Sequence, residues 1–158
     1  MTVSPVPLAG SRESADPHDE VSRFLRSMWR LSRALGQQLE PLLQERHGID
    51  PRTYFLLKSI QGGNLYPKAL AEHLKIPASL ISRYLDLLAR KGLVERHLDE
   101  RDSRRIRLSL TEAGERIARE SEQTIYELAG ARLSKLEPGA LRTLLGALET
   151  LADEGATQ

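Results

Sequence analysis

The stretch DERDSRR, residues 99–105, carries six charged side chains in seven positions. Guanidinium groups have forked donors that suit phosphate oxygens and guanine edges, so its arginines are candidate nucleic-acid contacts. The interleaved carboxylates can bind an arginine in a forked pair and accept hydrogen bonds from the N–H groups of a turn. The candidate contacts are Arg101, Arg104 and Arg105, and the candidate orienting residues are Asp99 and Asp102.

A solvated charged turn is the alternative, and its ion pairs would contribute about 0–1 kcal/mol each. The flanking runs LVERHL and RIRLSL favour a more specific interpretation, because they alternate apolar and polar residues. This two-residue period predicts a β-hairpin with the charged stretch at its tip. We expect Ile106, Leu108 and Leu110 to face inward. The residues expected to face water or a ligand are Arg105, Arg107 and Ser109.

The segment IPASLISRYLDLLARKG, just before the hairpin, has the period of a helix that opens at Pro77 and ends at Gly92. Its inward stripe is Ile81, Leu85 and Leu88. A short helix that begins at Pro67 precedes it, and two such helices followed by a hairpin predict a winged helix-turn-helix. The outer, N-terminal side of the second helix can face a DNA major groove, with Arg83 suited to guanine. Its residues are Pro77, Ala78, Ser79, Ser82, Arg83 and Asp86, of which Asp86 is also a second candidate partner for the wing.

The remaining elements surround this core. Residues 1–18 predict a disordered leader, and residues 19–48 an N-terminal dimerisation helix that Pro41 kinks or interrupts and Gly48 stops. The winged core spans 49–110, with Asp50 as a helix N-cap, Pro51 at the first helical position and Gly62–Gly63 at the end of that helix. Residues 111–153 predict C-terminal dimerisation helices that begin at Thr111 and Pro138. The fold class is therefore mainly α with a small β-hairpin wing.

Composition limits the classes of function. The chain has 158 residues, no cysteine and a net charge of +1, so it offers no disulfide, thiolate metal site or thiol switch. Residues 67–110 contain 10 basic and 6 acidic residues, a local +4, whereas the remainder contains 13 and 16, a local −3. This asymmetry indicates a polyanion-binding segment on an acidic scaffold. Neither a signal peptide nor an apolar run near 18 residues is present, so no membrane partner is expected and a cytoplasmic location is the simplest.

The terminal helices favour self-association. Residues 19–46 and 111–152 present more amphipathic helix than a winged domain of roughly 60 residues can cover. We therefore expect a homodimer. A twofold axis would place two recognition helices about 34 Å apart, one turn of double-stranded DNA.

Residues 65–114 resemble the winged-helix core of the MarR family of bacterial transcription regulators. The most specific part is the Asp-x-Arg-Asp-x-Arg pattern at 99–104 running into RLSLTEAG, and the similarity extends over about 19–153. The resemblance implies a homodimer on a palindromic site, often released by small phenolic or aromatic acids. It also implies that Ser79, Ser82 and Arg83 read the major groove and that Arg101 and Arg104 act from the wing.

The chain departs from the family pattern at three points. Tyr66 replaces the usual Ser or Thr cap, Leu87 stands where a polar residue is common, and the lack of cysteine excludes the peroxide-sensing branch. An effector pocket between the long helix and the winged domain is a further hypothesis, although core packing is the alternative for each residue. Its candidate lining is Trp29, Tyr54, Phe55 and Tyr66.

No catalytic constellation or phosphate-binding loop appears, and the four histidines share no metal-ligand spacing, so we expect no enzyme, metal or cofactor. The sequence predicts a homodimeric DNA-binding regulator, a repressor released by a small ligand. The alternative is a winged-helix protein-interaction module whose hairpin binds an acidic protein, without sequence-specific DNA binding.

Overall fold

The computed structural model of the protein describes residues 17–152. Its elements are α1 (Pro17–His47), α2 (Pro51–Gln61), α3 (Pro67–Leu74), α4 (Ala78–Arg90), β1 (Val94–Leu98), β2 (Ile106–Leu110), α5 (Glu112–Leu133) and α6 (Pro138–Ala152). The predicted fold class, mainly α with a two-stranded wing, is confirmed. The predicted leader lies outside the described residues up to residue 16, and residues 17 and 18 are already helical.

Helix α1 is longer and less interrupted than the sequence suggested. It runs through Pro41 without ending there, so the predicted interruption is wrong, while a kink at this proline stays a prediction. Gly48, with φ of +65°, stops the helix as predicted. The described residues divide into two units, one that ends at Ala34 and one that begins at Leu35. In the first, residues 18–33 are all exposed to solvent.

Side-chain caps set the start of two helices, α2 and α5. The Asp50 carboxylate accepts a 2.7 Å hydrogen bond from the backbone N–H of Thr53 and so caps α2. The Thr111 hydroxyl accepts one of 3.0 Å from the N–H of Gly114 at the start of α5. Helix α3 begins differently, since Tyr66 occupies its N-cap position without a side-chain cap bond and Pro67 supplies the first helical residue.

The core of the second unit lies among α2, α3, α4, the hairpin and parts of α1 and α5. Ile81, Leu85 and Leu88 are almost completely buried, which confirms the predicted inward stripe of α4. This apolar burial seats α4, because a buried leucine or isoleucine contributes about 1.5–3 kcal/mol. Other fully buried members are Leu43, Leu56, Leu57, Leu70 and Leu108.

The hairpin is antiparallel, with Arg96 opposite Leu108 and Leu98 opposite Ile106. The predicted inward row is only partly correct: Leu108 is buried and Leu110 half-buried, whereas Ile106 is 39% exposed. Ile106 is exposed because of its place in the hairpin. The pair Leu98–Ile106 adjoins the turn and lies beyond Leu108, the buried residue of β2 nearest the turn.

The base of the hairpin is locked onto α5. Thr111 donates through its backbone N–H to the carbonyl of Leu93 at 3.1 Å and through its hydroxyl to that of Gly92 at 2.7 Å. A Cβ at Gly114 would lie 2.0 Å from the Leu93 carbonyl oxygen, so only glycine fits this close approach. The first and last residues of the sequence TEAG, Thr111 and Gly114, are therefore both needed where the hairpin meets α5. Between residues 17 and 152, no helix combines the length and apolar character needed to cross a bilayer.

Candidate nucleic-acid interface

The outer face of α4 is open to solvent. Pro77, the N-cap of α4, and the other residues predicted for this face are all exposed, opposite the buried stripe. Four of them recur at helical steps of three and four, so they share one face. These four are Ser79, Ser82, Arg83 and Asp86, and Ala78 lies beside them in the first turn.

The wing turn is built around Asp99, which is only 9% exposed. One carboxylate oxygen accepts hydrogen bonds from the backbone N–H groups of Arg101 at 2.8 Å and Asp102 at 3.1 Å. The other oxygen accepts the hydroxyl of Tyr66. Asp102 in turn accepts the N–H of Arg104 at 3.0 Å. The predicted capping of turn N–H groups by both carboxylates is therefore confirmed.

The predicted forked pair between a carboxylate and an arginine is wrong. Among residues 17–152, no ion pair joins Asp99 or Asp102 to an arginine of the turn. The oxygens of Asp99 are taken by backbone N–H groups and by Tyr66 instead. Arg101 and Arg104 remain exposed.

Tyr66 holds the wing by a second contact. The guanidinium of Arg105 lies 4.1 Å from the centre of the Tyr66 ring, a cation–π arrangement. The hydrogen bond from Tyr66, together with that from the Arg101 N–H, lowers the pKa of the Asp99 carboxyl, while the same bond to Asp99 raises the pKa of the Tyr66 phenol. Arg105, predicted as a nucleic-acid contact, is thus stacked on Tyr66, the residue that holds the wing turn.

A second connection joins the wing to α4. The carboxylate of Asp86 forms a 2.7 Å ion pair with Arg96 on β1. Asp86 therefore connects α4 to the wing, as predicted, but through a strand residue that was not among the predicted site residues. The alternation of β1 is the signal that could have found Arg96, because it places this side chain on the same face as Leu108.

The residues proposed for an effector pocket lie in different surroundings. Tyr54 is buried and makes an edge contact with the half-exposed Phe55, their ring centres 5.3 Å apart. Tyr66 belongs to the wing support, and Trp29 is 76% exposed on α1. The effector pocket stays a prediction. For metal ions, no group of three or more histidine and carboxylate side chains within residues 17–152 could form a site.

Comparison with known proteins was made at the level of sequence and of fold. Residues 47–105 match a family model described as MarR family. The HTH-type transcriptional repressor MdtR of Bacillus subtilis (strain 168) is 33% identical over 86 residues, which are 52% of this chain and 56% of that protein. The chain thus spans little more than half the length of that repressor.

Two further proteins extend the likeness. The organic hydroperoxide resistance transcriptional regulator of Bacillus subtilis (strain 168) is 29% identical over 122 residues, 77% of this chain and 82% of that protein. A mutant of MarR from E. coli, solved in complex with operator DNA, superimposes with a TM-score of 0.70 at 24% identity, covering 87% of this chain and 99% of that one. At this identity the superposition shows a shared fold.

The family match falls on the end of α1, the three following helices and the hairpin up to Arg105, which are the elements that carry the candidate interface. The structural likeness adds the long terminal helices, since it covers most of the chain. The resemblance inferred from residues 65–114 is confirmed. Over residues 47–105 the chain matches the MarR family model, and the two curated regulators extend this similarity to more of the chain.

Proposed function

We propose that the protein is a transcription regulator that binds double-stranded DNA as a homodimer, acting as a repressor released by a small ligand. One observation carries the proposal: the exposed outer face of α4 and the exposed wing arginines belong to elements that the Asp86–Arg96 ion pair joins. Two DNA-facing surfaces in a fixed relation suit a groove and its adjacent phosphates.

In this proposal α4 lies in the major groove. Ala78, Ser79 and Ser82 are small enough for close approach to the bases, and Arg83 offers the paired donors that suit guanine O6 and N7. Arg101 and Arg104 on the wing contact the phosphate backbone or the minor groove. The carboxylate of Asp86 is neutralised by Arg96, which limits its repulsion of DNA.

The homodimer rests on the exposed apolar side chains of the terminal helices. Helix α6 has no buried residue, although apolar side chains recur along one side of it. The N-terminal part of α1 carries a similar stripe, and apolar stripes of this extent need a covering partner. The exposed members are Val21, Phe24, Leu25, Met28 and Leu31 on α1, and Leu144, Leu145, Leu148 and Leu151 on α6. A twofold dimer would recognise a palindromic site with half-sites about 34 Å apart.

Repression is proposed because the relative MdtR is a transcriptional repressor by name. For the releasing ligand we propose a small aromatic acid, which follows from the family resemblance, with Trp29, Tyr54, Phe55 and Tyr66 as candidate contacts. A thiol mechanism is not available to this chain because it has no cysteine. Hydrogen peroxide should therefore leave DNA affinity unchanged; a rapid loss that dithiothreitol reverses would contradict this.

A salt titration of DNA binding tests the central claim. The affinity for a random duplex should fall steeply as salt rises, because each phosphate contact releases counterions. A duplex selected from a random pool should bind roughly 10³-fold or more tightly than the random one. Negligible DNA affinity at every salt concentration would instead favour the protein-interaction module.

Sedimentation at micromolar concentration tests the dimer. The full chain should show about twice the chain mass of 17.7 kDa. Deleting residues 137–158, which removes α6, should abolish the dimer because its apolar face is lost. A well-folded monomer of the full chain at these concentrations would contradict the proposal.

A further inference from the structure

Two residues that precede α3 hold the wing. The carbonyl of Leu65 accepts a 2.7 Å hydrogen bond from the N–H of Leu108 on β2. The side chain of Tyr66 donates its hydroxyl to Asp99, where the turn leaves β1, and stacks its ring against Arg105, where the turn rejoins β2. The connection between α2 and α3 therefore contacts both ends of the wing turn.

Tyr66 divides the wing arginines into two kinds. Arg105 is held over its ring, whereas Arg101 and Arg104 are exposed and take part in no ion pair among the described residues. The backbone N–H groups of both free arginines are bonded within the turn, that of Arg101 to Asp99 and that of Arg104 to Asp102. The direction of these two side chains thus depends on the turn, and the turn depends on Asp99.

We propose that Tyr66 is a positioning residue for DNA binding, whose hydroxyl and ring hold the wing turn so that Arg101 and Arg104 face the DNA alongside α4. The inference rests on the proposed DNA-binding function and identifies the residue that orients the wing arginines toward DNA. Tyr66 adjoins α3, the first helix of the helix-turn-helix, so its contacts couple the wing to that motif.

The physical reason lies in the burial of Asp99. Without the tyrosine hydroxyl, one oxygen of a 9% exposed carboxylate loses its donor, and an unsatisfied charged acceptor is costly. The turn would shift toward water to satisfy it. Arg101 and Arg104 would then have to be ordered on binding, and this loss of side-chain entropy would leave one of their phosphate contacts unformed.

The test uses variants that change no charge. Tyr66→Phe removes the hydroxyl and keeps the ring beneath Arg105, whereas Tyr66→Leu removes both contacts. Tyr126→Phe is the matched control, because it removes a tyrosine hydroxyl bonded to Glu122 on α5, away from the wing. Each variant is titrated with the selected duplex over a series of salt concentrations, after circular dichroism has shown that it is folded.

We expect Tyr66→Phe to bind about tenfold more weakly, the scale of one lost hydrogen bond to a charged group, and Tyr66→Leu more weakly still. The slope of log affinity against log salt should fall by about one unit per half-site although no positive charge is lost, because one phosphate contact is lost. Tyr126→Phe should match the unmodified chain in both DNA affinity and salt slope.

A merely structural role for Tyr66 would lower the active fraction and leave the salt slope unchanged. An unchanged slope in Tyr66→Phe, with or without weaker binding, would therefore overturn the positioning role while DNA binding by the unmodified chain stands. If the unmodified chain binds no DNA at any salt concentration, the proposed function fails and the positioning role fails with it.

Discussion

Helix α4 and the wing turn carry the two halves of the candidate interface, and they are held in place by different forces. Helix α4 is seated by Ile81, Leu85 and Leu88, which are buried in the core. The wing turn is held by polar contacts centred on Asp99, with Tyr66 as the contact from outside the hairpin. Apolar burial is non-directional and insensitive to pH, whereas a polar anchor depends on individual atoms and charges. The two regions should therefore respond differently to mutation.

The largest loss of stability is expected from mutation of the buried residues that pack α4 against the core. Leu85→Ala should lower the free energy of unfolding by about 2–5 kcal/mol, because it removes a buried side chain and leaves a cavity. Denaturant unfolding followed by circular dichroism measures this. Leu87→Ala on the same helix is the control and should change stability little, since Leu87 is 39% exposed. Equal losses of unfolding free energy in the two variants would contradict the claim that apolar burial holds α4 in place.

Mutation at the base of the wing, where Gly114 contacts Leu93, is expected to lower stability nearly as much. Gly114→Ala would place a Cβ 2.0 Å from the Leu93 carbonyl oxygen, so β1 and α5 would have to separate. We expect a loss of about 1–3 kcal/mol in unfolding free energy. Gly130→Ala on the same helix meets no atom within 4 Å and should be neutral or stabilising by about 0.5–1 kcal/mol. A Gly114→Ala protein as stable as the unmodified chain would rule out this close approach.

The two regions should also differ in how they contribute to DNA binding. Arg83→Ala should lose about 1–3 kcal/mol on the selected site and much less on random DNA, because a base contact is lost. Arg104→Ala should weaken all sequences more evenly and lower the salt slope by about one unit per half-site. Fluorescence anisotropy on both duplexes measures the difference. If both variants lose affinity in the same ratio on the two duplexes, the assignment of base and phosphate contacts is wrong.

Asp99→Ala separates two roles for the wing carboxylates. If they only dilute positive charge, removing one should raise DNA affinity, since a negative group near phosphate is lost. We expect affinity to fall severalfold despite the extra positive charge, because Asp99 organises the turn through three hydrogen bonds. Tighter binding by this variant at physiological salt would refute the orienting role.

The smallest effect is a dependence on pH that belongs to the wing alone. The pKa of Asp99 is lowered in the folded chain, first by the Tyr66 hydroxyl and then by the N–H of Arg101. A carboxyl of this kind stabilises the fold above its unfolded pKa of about 3.9, and this stability is lost as pH falls through the lower folded value.

The stability difference between the unmodified chain and Asp99→Asn should therefore be constant from about pH 7 to 5 and shrink below about pH 4. Denaturant unfolding of both proteins over this range measures it. The difference between the unmodified chain and Leu85→Ala is the control and should show no such change. A difference for Asp99→Asn that persists undiminished to about pH 2 would contradict the role of the carboxylate charge.

Several features of the fold could be predicted because their causes are local. Asp50 and Thr111 bond to N–H groups three residues ahead, so the sequence around each contains the whole motif. The stripe of α4 follows from helical spacing and the hairpin from two-residue alternation. Pro41 does not end α1, because the loss of one backbone hydrogen bond can be tolerated inside a long helix.

The sequence by itself determined the order of the elements, the exposed face of α4 and the charged turn, since spacing and caps act over a few residues. Only the tertiary structure decided how the turn is held. Tyr66 and Asp99 are 33 positions apart, and the bond between them forms because α3 and the wing pack on one core. The pairing of Asp86 with Arg96 rather than with a turn arginine has the same cause. A carboxylate binds the donor that the packed core brings within reach, and sequence spacing cannot specify which donor that is.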